Sequence, residues 1–78
     1  MKAYVLIKTS TAGVRDVVRQ LRRVDGVIEA NMTFGPFDAV AIVVAEDTNQ
    51  VGMILAAGIQ PIPGVVETLT CLAVDVTD

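Results

Sequence analysis

The sequence predicts an α+β domain: a four-stranded antiparallel sheet with two helices on one face, connected in the order βαββαβ. Three observations predict it. First, the apolar spacing switches between a strand period and a helical period twice along 78 residues. Second, a short motif recurs, since Val24-Asp25-Gly26-Val27-Ile28-Glu29 and Ile62-Pro63-Gly64-Val65-Val66-Glu67 both read apolar-x-Gly-Val-apolar-Glu, each after a helical stretch. Third, the first and third strands are almost wholly apolar, whereas the second and fourth carry Glu29, Asn31, Thr33, Glu67, Thr68 and Thr70. Strands buried on both faces read as continuous apolar runs, so the first and third belong at the centre and the others at the edges.

Ala3 to Lys8 holds Tyr4, Val5 and Ile7 in a short apolar run and reads as the first strand. Thr9, Ser10 and Thr11 offer caps for the first helix. Val14, Val17, Val18 and Leu21 recur at i, i+3, i+4 and i+7 and define its buried face, with Arg15, Arg19, Arg22 and Arg23 largely on the other side. Asp25-Gly26 ends that helix and turns the chain.

Val27 to Phe34 is the second strand, with Val27, Glu29, Asn31 and Thr33 on one face and Ile28, Ala30, Met32 and Phe34 on the other. Gly35-Pro36 suits a hairpin, because glycine accepts positive φ and proline holds φ near −65°. Phe37 to Ala45 is the third strand and has nothing polar after Asp38. Asp47, Thr48 and Asn49 offer caps for the second helix, whose stripe is Val51, Ile54, Leu55 and Gly58; Gly58 is expected to end it, before Pro61 and Pro63. Val65 to Val76 is the fourth strand. The halves then read as β1α1β2 and β3α2β4, the split-βαβ or ferredoxin-like pattern. The alternative is two unrelated helix-to-strand turns that both need Gly-Val.

The chain reads as one domain over residues 1–78, with no linker or low-complexity stretch. A domain of this size buries only about 60–65% of its unfolded surface. Yet 53% of the residues are apolar and the mean hydropathy is +0.59, more apolar material than one thin core hides. Two helices cover one face of the sheet. The expected cover for the other is the same face of a second copy, since standard interfaces bury about 800 Å² per partner.

No apolar run approaches the ~18 residues that cross a bilayer, and the first residues are too strand-like for a signal peptide. Cys71 is the single cysteine, which excludes an intrachain disulfide. The expectation is a soluble, reduced, cytoplasmic protein. A net charge of −3 argues against bulk attraction to nucleic acid or to anionic lipid.

Little in the sequence supports catalysis. There is no histidine to activate Cys71. No Cys or His cluster has metal-ligand spacing, and no G-x-G-x-x-G or Walker loop that would hold a cofactor is present. Glu29 and Glu67 occupy equivalent places in the two halves, either as a carboxylate pair or, more simply, as exposed edge-strand residues. RNA-binding sheets of this topology carry stacking aromatics on their central strands, where this chain has Tyr4 and Phe37 near the strand ends. The four arginines of the first helix read as a solvated face, a phosphate site, or a surface for acids on a partner chain. The second helix has no charge from Thr48 through Val66, although Gly52, Met53, Ala56 and Ala57 lie off its core stripe. It packs on another copy, lines a pocket, or simply exposes an Ala/Gly-rich face.

Taken in order, "AYVLIKT", an amphipathic helix, "VDGVIEANMTFGPFDAVAIVVA", a helix and "IPGVVETLTCLAV" resemble the effector-binding domain of the Lrp/AsnC transcription regulators, the RAM domain, over nearly the whole chain. The most specific part is Thr33-x-Gly35-x-Phe37-Asp38, similar to the family's T-G-x-[YF]-D hairpin with one residue inserted after Thr33. The second anchor is Pro63-Gly64-Val65 with Thr68-x-Thr70, similar to the family's P-G-V…T-x-T strand. Regulators that bind DNA carry an N-terminal helix-turn-helix, whereas here Met1 leads straight into the first strand, so the chain resembles a stand-alone module.

The resemblance implies a non-enzymatic module that dimerises sheet to sheet and assembles further into rings of dimers. It implies small effectors, usually amino acids, held between dimers; it does not imply contact with DNA, and the charge and hydropathy predict no direct contact with nucleic acid or membrane. A full-length Lrp-like regulator is a further partner by analogy. The candidate ligand-binding residues are Thr33, Gly35, Phe37, Asp38, Thr68 and Thr70. Gly35 lets backbone N–H groups approach an α-carboxylate. Asp38 faces an α-ammonium, or accepts bonds from the hairpin's own backbone; the two roles are compatible. Thr68 and Thr70 supply hydroxyls from another strand or another copy. Met53, Ile54, Ala56 and Ala57 favour an apolar or small effector. A dimeric α+β barrel enzyme and an ACT-like regulatory domain share the topology and stand as rivals.

Overall fold

A computed structural model describes residues 1–10 and 13–77. The elements are β1 (Lys2–Thr9), α1 (Val14–Leu21), β2 (Val27–Met32), β3 (Ala39–Val44), α2 (Thr48–Ile54) and β4 (Val65–Leu72), with α2 running on into a π-helical turn, Leu55–Ile59. The sheet order is β2-β3-β1-β4, and every neighbouring pair is antiparallel. The apolar strands β1 and β3 therefore lie at the centre and the polar ones at the edges, as the sequence predicts.

The register divides the sheet into two faces. Ala3, Val5 and Ile7 stand opposite Val43, Ala41 and Ala39, and all are buried against the helices. Small side chains here, Ala30, Ala39 and Ala41, let α1 lie close to the sheet, and its Val17, Val18 and Leu21 fill the space. Each fully buried Val, Leu or Ile contributes about 1.5–3 kcal/mol. On α2, Val51 is buried, and so is Ile59 at the end of the π turn.

The half-repeat is real at the backbone. In each half an i→i+3 bond closes the turn into the strand, from Val27 N–H to the Val24 carbonyl and from Val65 N–H to the Ile62 carbonyl, both 3.1 Å. Gly26 and Gly64 have φ of 98° and 99°, a left-handed conformation that a side chain disfavours. Each glycine carbonyl then accepts from the end of a central strand, Gly26 from Val44 N–H and Gly64 from Ser10 N–H, both at 2.8 Å.

Several details differ from expectation. The residue before α1 is Gly13, and among the described residues no side chain caps the helix. Thr9 belongs to β1 and the Ser10 N–H is used by Gly64, while Thr11 lies outside the described residues. Val27 shares the helix-side face with Ala30, and not the face of Glu29, because the register shifts between Val27 and Glu29 and leaves Ile28 65% exposed. Strands β2, β3 and β4 are shorter than expected. β4 stops at Leu72 because the partner strand runs out, the last bond being from Ala73 N–H to the Lys2 carbonyl.

Gly58 does not end the second helix. The chain continues through the π turn, closed by a 2.8 Å bond from Gln60 N–H to the Leu55 carbonyl. Gly58 instead sits against the segment after α1, where an added Cβ would lie 2.6 Å from Val24 Cγ1. Asp47 does cap α2, accepting from Gln50 N–H at 2.8 Å.

Candidate functional site

The β2–β3 hairpin is built by bonds that follow from its residue types. Thr33 N–H donates to the Asp38 carbonyl at 2.9 Å, and the Thr33 hydroxyl donates to the Phe37 carbonyl at 2.8 Å. Gly35, with φ of 146°, takes the conformation that Pro36 and the aromatics cannot. An added Cβ at Gly35 would meet nothing within 4 Å, so the space over its backbone is open.

Asp38 ties the hairpin to β1. Its backbone N–H donates to the Ile7 carbonyl at 2.9 Å, and its Oδ2 accepts from Thr9 N–H at 2.8 Å. The side chain thus prolongs the β1–β3 ladder by one bond beyond its last paired residues. Among the described residues Oδ1 accepts nothing, nor do the N–H groups of Phe34, Gly35 and Phe37 donate to any group of the chain. A lone acid at the mouth of an apolar strand is therefore a register clamp with a spare oxygen.

Thr33 and Asp38 border a cleft of about 390 Å³ with Thr9, Ser10, Val14, Met32 and Phe34. Its lining mixes hydroxyl and carboxylate groups with the apolar side chains of Val14 and Met32. Sequence reasoning missed Thr9 and Ser10 as lining residues, having used them as helix caps. Around the turn, Gly35 and Phe37 border a second, almost wholly apolar hollow with Leu6, Phe34, Pro36 and Val40. Lys8 Nζ stands 5.8 Å from the Phe37 ring centroid, a cation–π distance.

Thr68 and Thr70 are placed elsewhere. They pair with Ile7 and Val5, which puts them on the helix side of edge strand β4, separated from β3 by β1. Thr68 is approached only by Gln60 Nε2, at 3.5 Å, among the described residues. One copy therefore brings together Thr33, Gly35, Phe37 and Asp38, and not the two threonines. The second helix is also remote: a cleft of about 470 Å³ lies between α2 and the α1–β2 turn, lined by Val24, Asp25, Gln50, Met53, Ile54, Ala57 and Gly58. That turn precedes β2 and the hairpin follows it.

The opposite sheet face is apolar at its centre, with Lys2, Lys8, Glu29, Asn31 and Glu67 around it, and has no layer over it among the described residues. Tyr4 and Leu6 of β1, Val40 and Ile42 of β3, and Leu69 and Cys71 of β4 share it, as the register requires. Leu69 is 52% exposed there. Four chemical observations complete the picture among the described residues. No group of three His, Cys, Asp or Glu residues is placed to hold a metal. No ionisable side chain is buried. No helix is long and apolar enough to cross a membrane. Arg22 of the basic helix is not merely solvated, since its guanidinium donates twice, at 3.1 and 2.9 Å, to the Ala30 carbonyl of edge strand β2.

With this sheet, this hairpin and these turns in place, the family model for the Lrp/AsnC ligand binding domain matches residues 2–77. The chain belongs to that family. The Lrp/AsnC domain described here has the family's regulatory, ligand-binding character, and the fold is the ferredoxin-like one. No curated protein sequence matches it. Among solved structures it is similar to TTHA0845 from Thermus thermophilus, at 28% identity and a TM-score of 0.91, with 99% of this chain and 96% of that one covered. It is similar to AsnC of E. coli at 21% identity and a TM-score of 0.88, covering 95% of this chain and 50% of AsnC. It is also similar to the transcriptional regulator NMB0573 of Neisseria meningitidis, solved with L-Met, at 14% identity and a TM-score of 0.84, covering 95% and 49%. The last two likenesses show a shared fold, and this Lrp/AsnC domain spans about half of each regulator.

Proposed function

We propose that the chain is a non-enzymatic sensing module that binds a small effector, an amino acid, in the regulation of amino-acid metabolism. The carrying observation is the hairpin. Three backbone N–H groups without a partner among the described residues, at Phe34, Gly35 and Phe37, surround an open glycine, and the spare Oδ1 of Asp38 stands on the same turn. Free N–H groups suit a carboxylate and a free carboxylate oxygen suits an ammonium, the two ends of an α-amino acid.

The module works as a dimer formed sheet to sheet and as an assembly of such dimers, with the hairpin at the seams between them. The uncovered face of Tyr4, Leu6, Val40, Ile42 and Leu69 supports the first contact, because an apolar face of this extent has no cover among the described residues of the chain itself. Thr68 and Thr70 reach a ligand at the hairpin only from another copy. The complex of NMB0573 with L-Met supports an amino-acid effector by likeness of fold. The exposed, uncharged Met53, Ala56 and Ala57 of the second helix and its π turn favour a small or apolar side chain. A regulator carrying a DNA-binding domain, co-assembling through the same sheet face, is the partner that would link binding to transcription.

Isothermal titration calorimetry with each of the twenty amino acids tests the reading. Small or apolar amino acids bind, and Asp38→Asn weakens them by about tenfold or more, the loss expected for a charge-assisted contact. Heat with lysine or arginine alone contradicts the side-chain preference, and no heat with any amino acid at millimolar concentration removes the amino-acid reading.

A further inference from the structure

Phe34 is the residue inserted into the hairpin motif, and it is 98% exposed, the most exposed large apolar side chain among the described residues. Nothing in the hairpin requires it: the turn is closed through Thr33, Phe37 and Asp38, and the conformational demand falls on Gly35. An aromatic side chain left wholly in water forfeits the burial that normally justifies its place, since such a ring buries about 150–250 Å² when it packs.

The molecule also carries a hole without a knob. The cleft of about 470 Å³ between α2 and the α1–β2 turn is lined by Val24, Ile54 and Gly58 and by Met53, which is 64% exposed. Its one charged residue is Asp25, because α2 and the π turn carry no charge. At the hairpin end, Lys8 stands over Phe37 and makes no ion pair among the described residues. Knob and hole are complementary in polarity; of the charges near the hairpin, Lys8 is opposite in sign to Asp25, and Asp38 is held by Thr9 N–H.

A chain cannot fill its own cleft this way. The cleft lies at the start of β2 and Phe34 lies beyond its end, and a six-residue strand holds these ends about 20 Å apart. We propose that Phe34 of one copy seats in the Val24–Met53–Ala57 cleft of a second copy, with Lys8 facing Asp25 across the seam. Two different patches meet in this contact, and a head-to-tail arrangement of copies is the simplest that makes it. It is separate from the sheet face, where one patch meets itself. It rests on the proposed assembly of dimers, and it explains why the hairpin and the second helix, remote within a copy, act at one seam.

Sedimentation velocity of the wild type, of Phe34→Glu, of Ala57→Glu and of an equimolar mixture of the two variants tests it. Both positions are exposed, so circular dichroism melts of the variants should overlay the wild type and exclude misfolding. The wild type sediments as a species larger than a dimer. Each variant alone stops at the dimer, at half the wild-type mass or less. The mixture regains a larger species, because one variant offers an intact Phe34 and the other an intact cleft. A wild type that is only a dimer, variants that keep the wild-type size, or a mixture that stays dimeric overturns the head-to-tail contact and leaves the sheet-face dimer standing. A monomeric wild type removes both.

Discussion

The Asp38 carboxylate accepts a 2.8 Å hydrogen bond from Thr9 N–H, and through it the hairpin is held to the strand beyond the last paired residues of the β1–β3 ladder. Removing the acceptor leaves a part-buried donor without its partner, at a cost of about 1–3 kcal/mol. Asp38→Ala should lower stability by that amount in urea unfolding, and Asp38→Asn, which keeps an acceptor oxygen, by less than half of it. Equal losses would show that the charge and not the bond is what matters.

The two turn glycines should respond alike, because they hold the same place in the two halves. Gly26→Ala and Gly64→Ala each force a side chain into the left-handed region, at about 1–2 kcal/mol. Each also places a Cβ against a core side chain, 2.6 Å from Ile54 Cδ1 and 3.1 Å from Val17 Cγ2 respectively. Gly52→Ala is the opposite case. It is an exposed helical position with nothing within 4 Å, so alanine should stabilise by about 0.5–1 kcal/mol. Thermal melts of the three variants check the signs.

Arg22 covers the Ala30 carbonyl on the open edge of β2. Edge strands with free backbone groups recruit other strands. Arg22→Ala should cost only about 0.5–1.5 kcal/mol in stability. It should also speed aggregation, read as light scattering on prolonged incubation at about body temperature. The exposed Arg19–Asp16 pair gives the contrast, since a surface ion pair is worth about 0–1 kcal/mol and Arg19→Ala should leave aggregation unchanged.

The sheet face makes its own prediction. Ile42 stands at the centre of that face, opposite Tyr4 and Glu29. Ile42→Asp places a charge where a second copy is proposed to pack, and a buried unpaired charge costs several kcal/mol. Sedimentation should then show monomers, whereas the same change at exposed Val74, outside the sheet, leaves the assembly intact.

The order of elements, the split into central and edge strands, and the buried face of α1 were legible in the sequence because each rests on local periodicity. Val17, Val18 and Leu21 repeat at helical spacing whatever they pack against. The Gly-Val half-repeat was legible too, because only glycine suits φ near 98° at both turns. The tertiary structure alone decided what depends on register and on distant contacts. A one-residue shift in β2 turned Val27 inward and Ile28 outward. Gly58 proved to be a contact with Val24, remote in sequence, and not a helix end. Thr68 and Thr70 share a motif order with the hairpin, but β1 lies between their strand and β3, so they stand on the far edge strand from Thr33, Gly35, Phe37 and Asp38. Spacing along a chain dictates which way a side chain points; which distant side chains it then meets is set by how strands pair and layers pack.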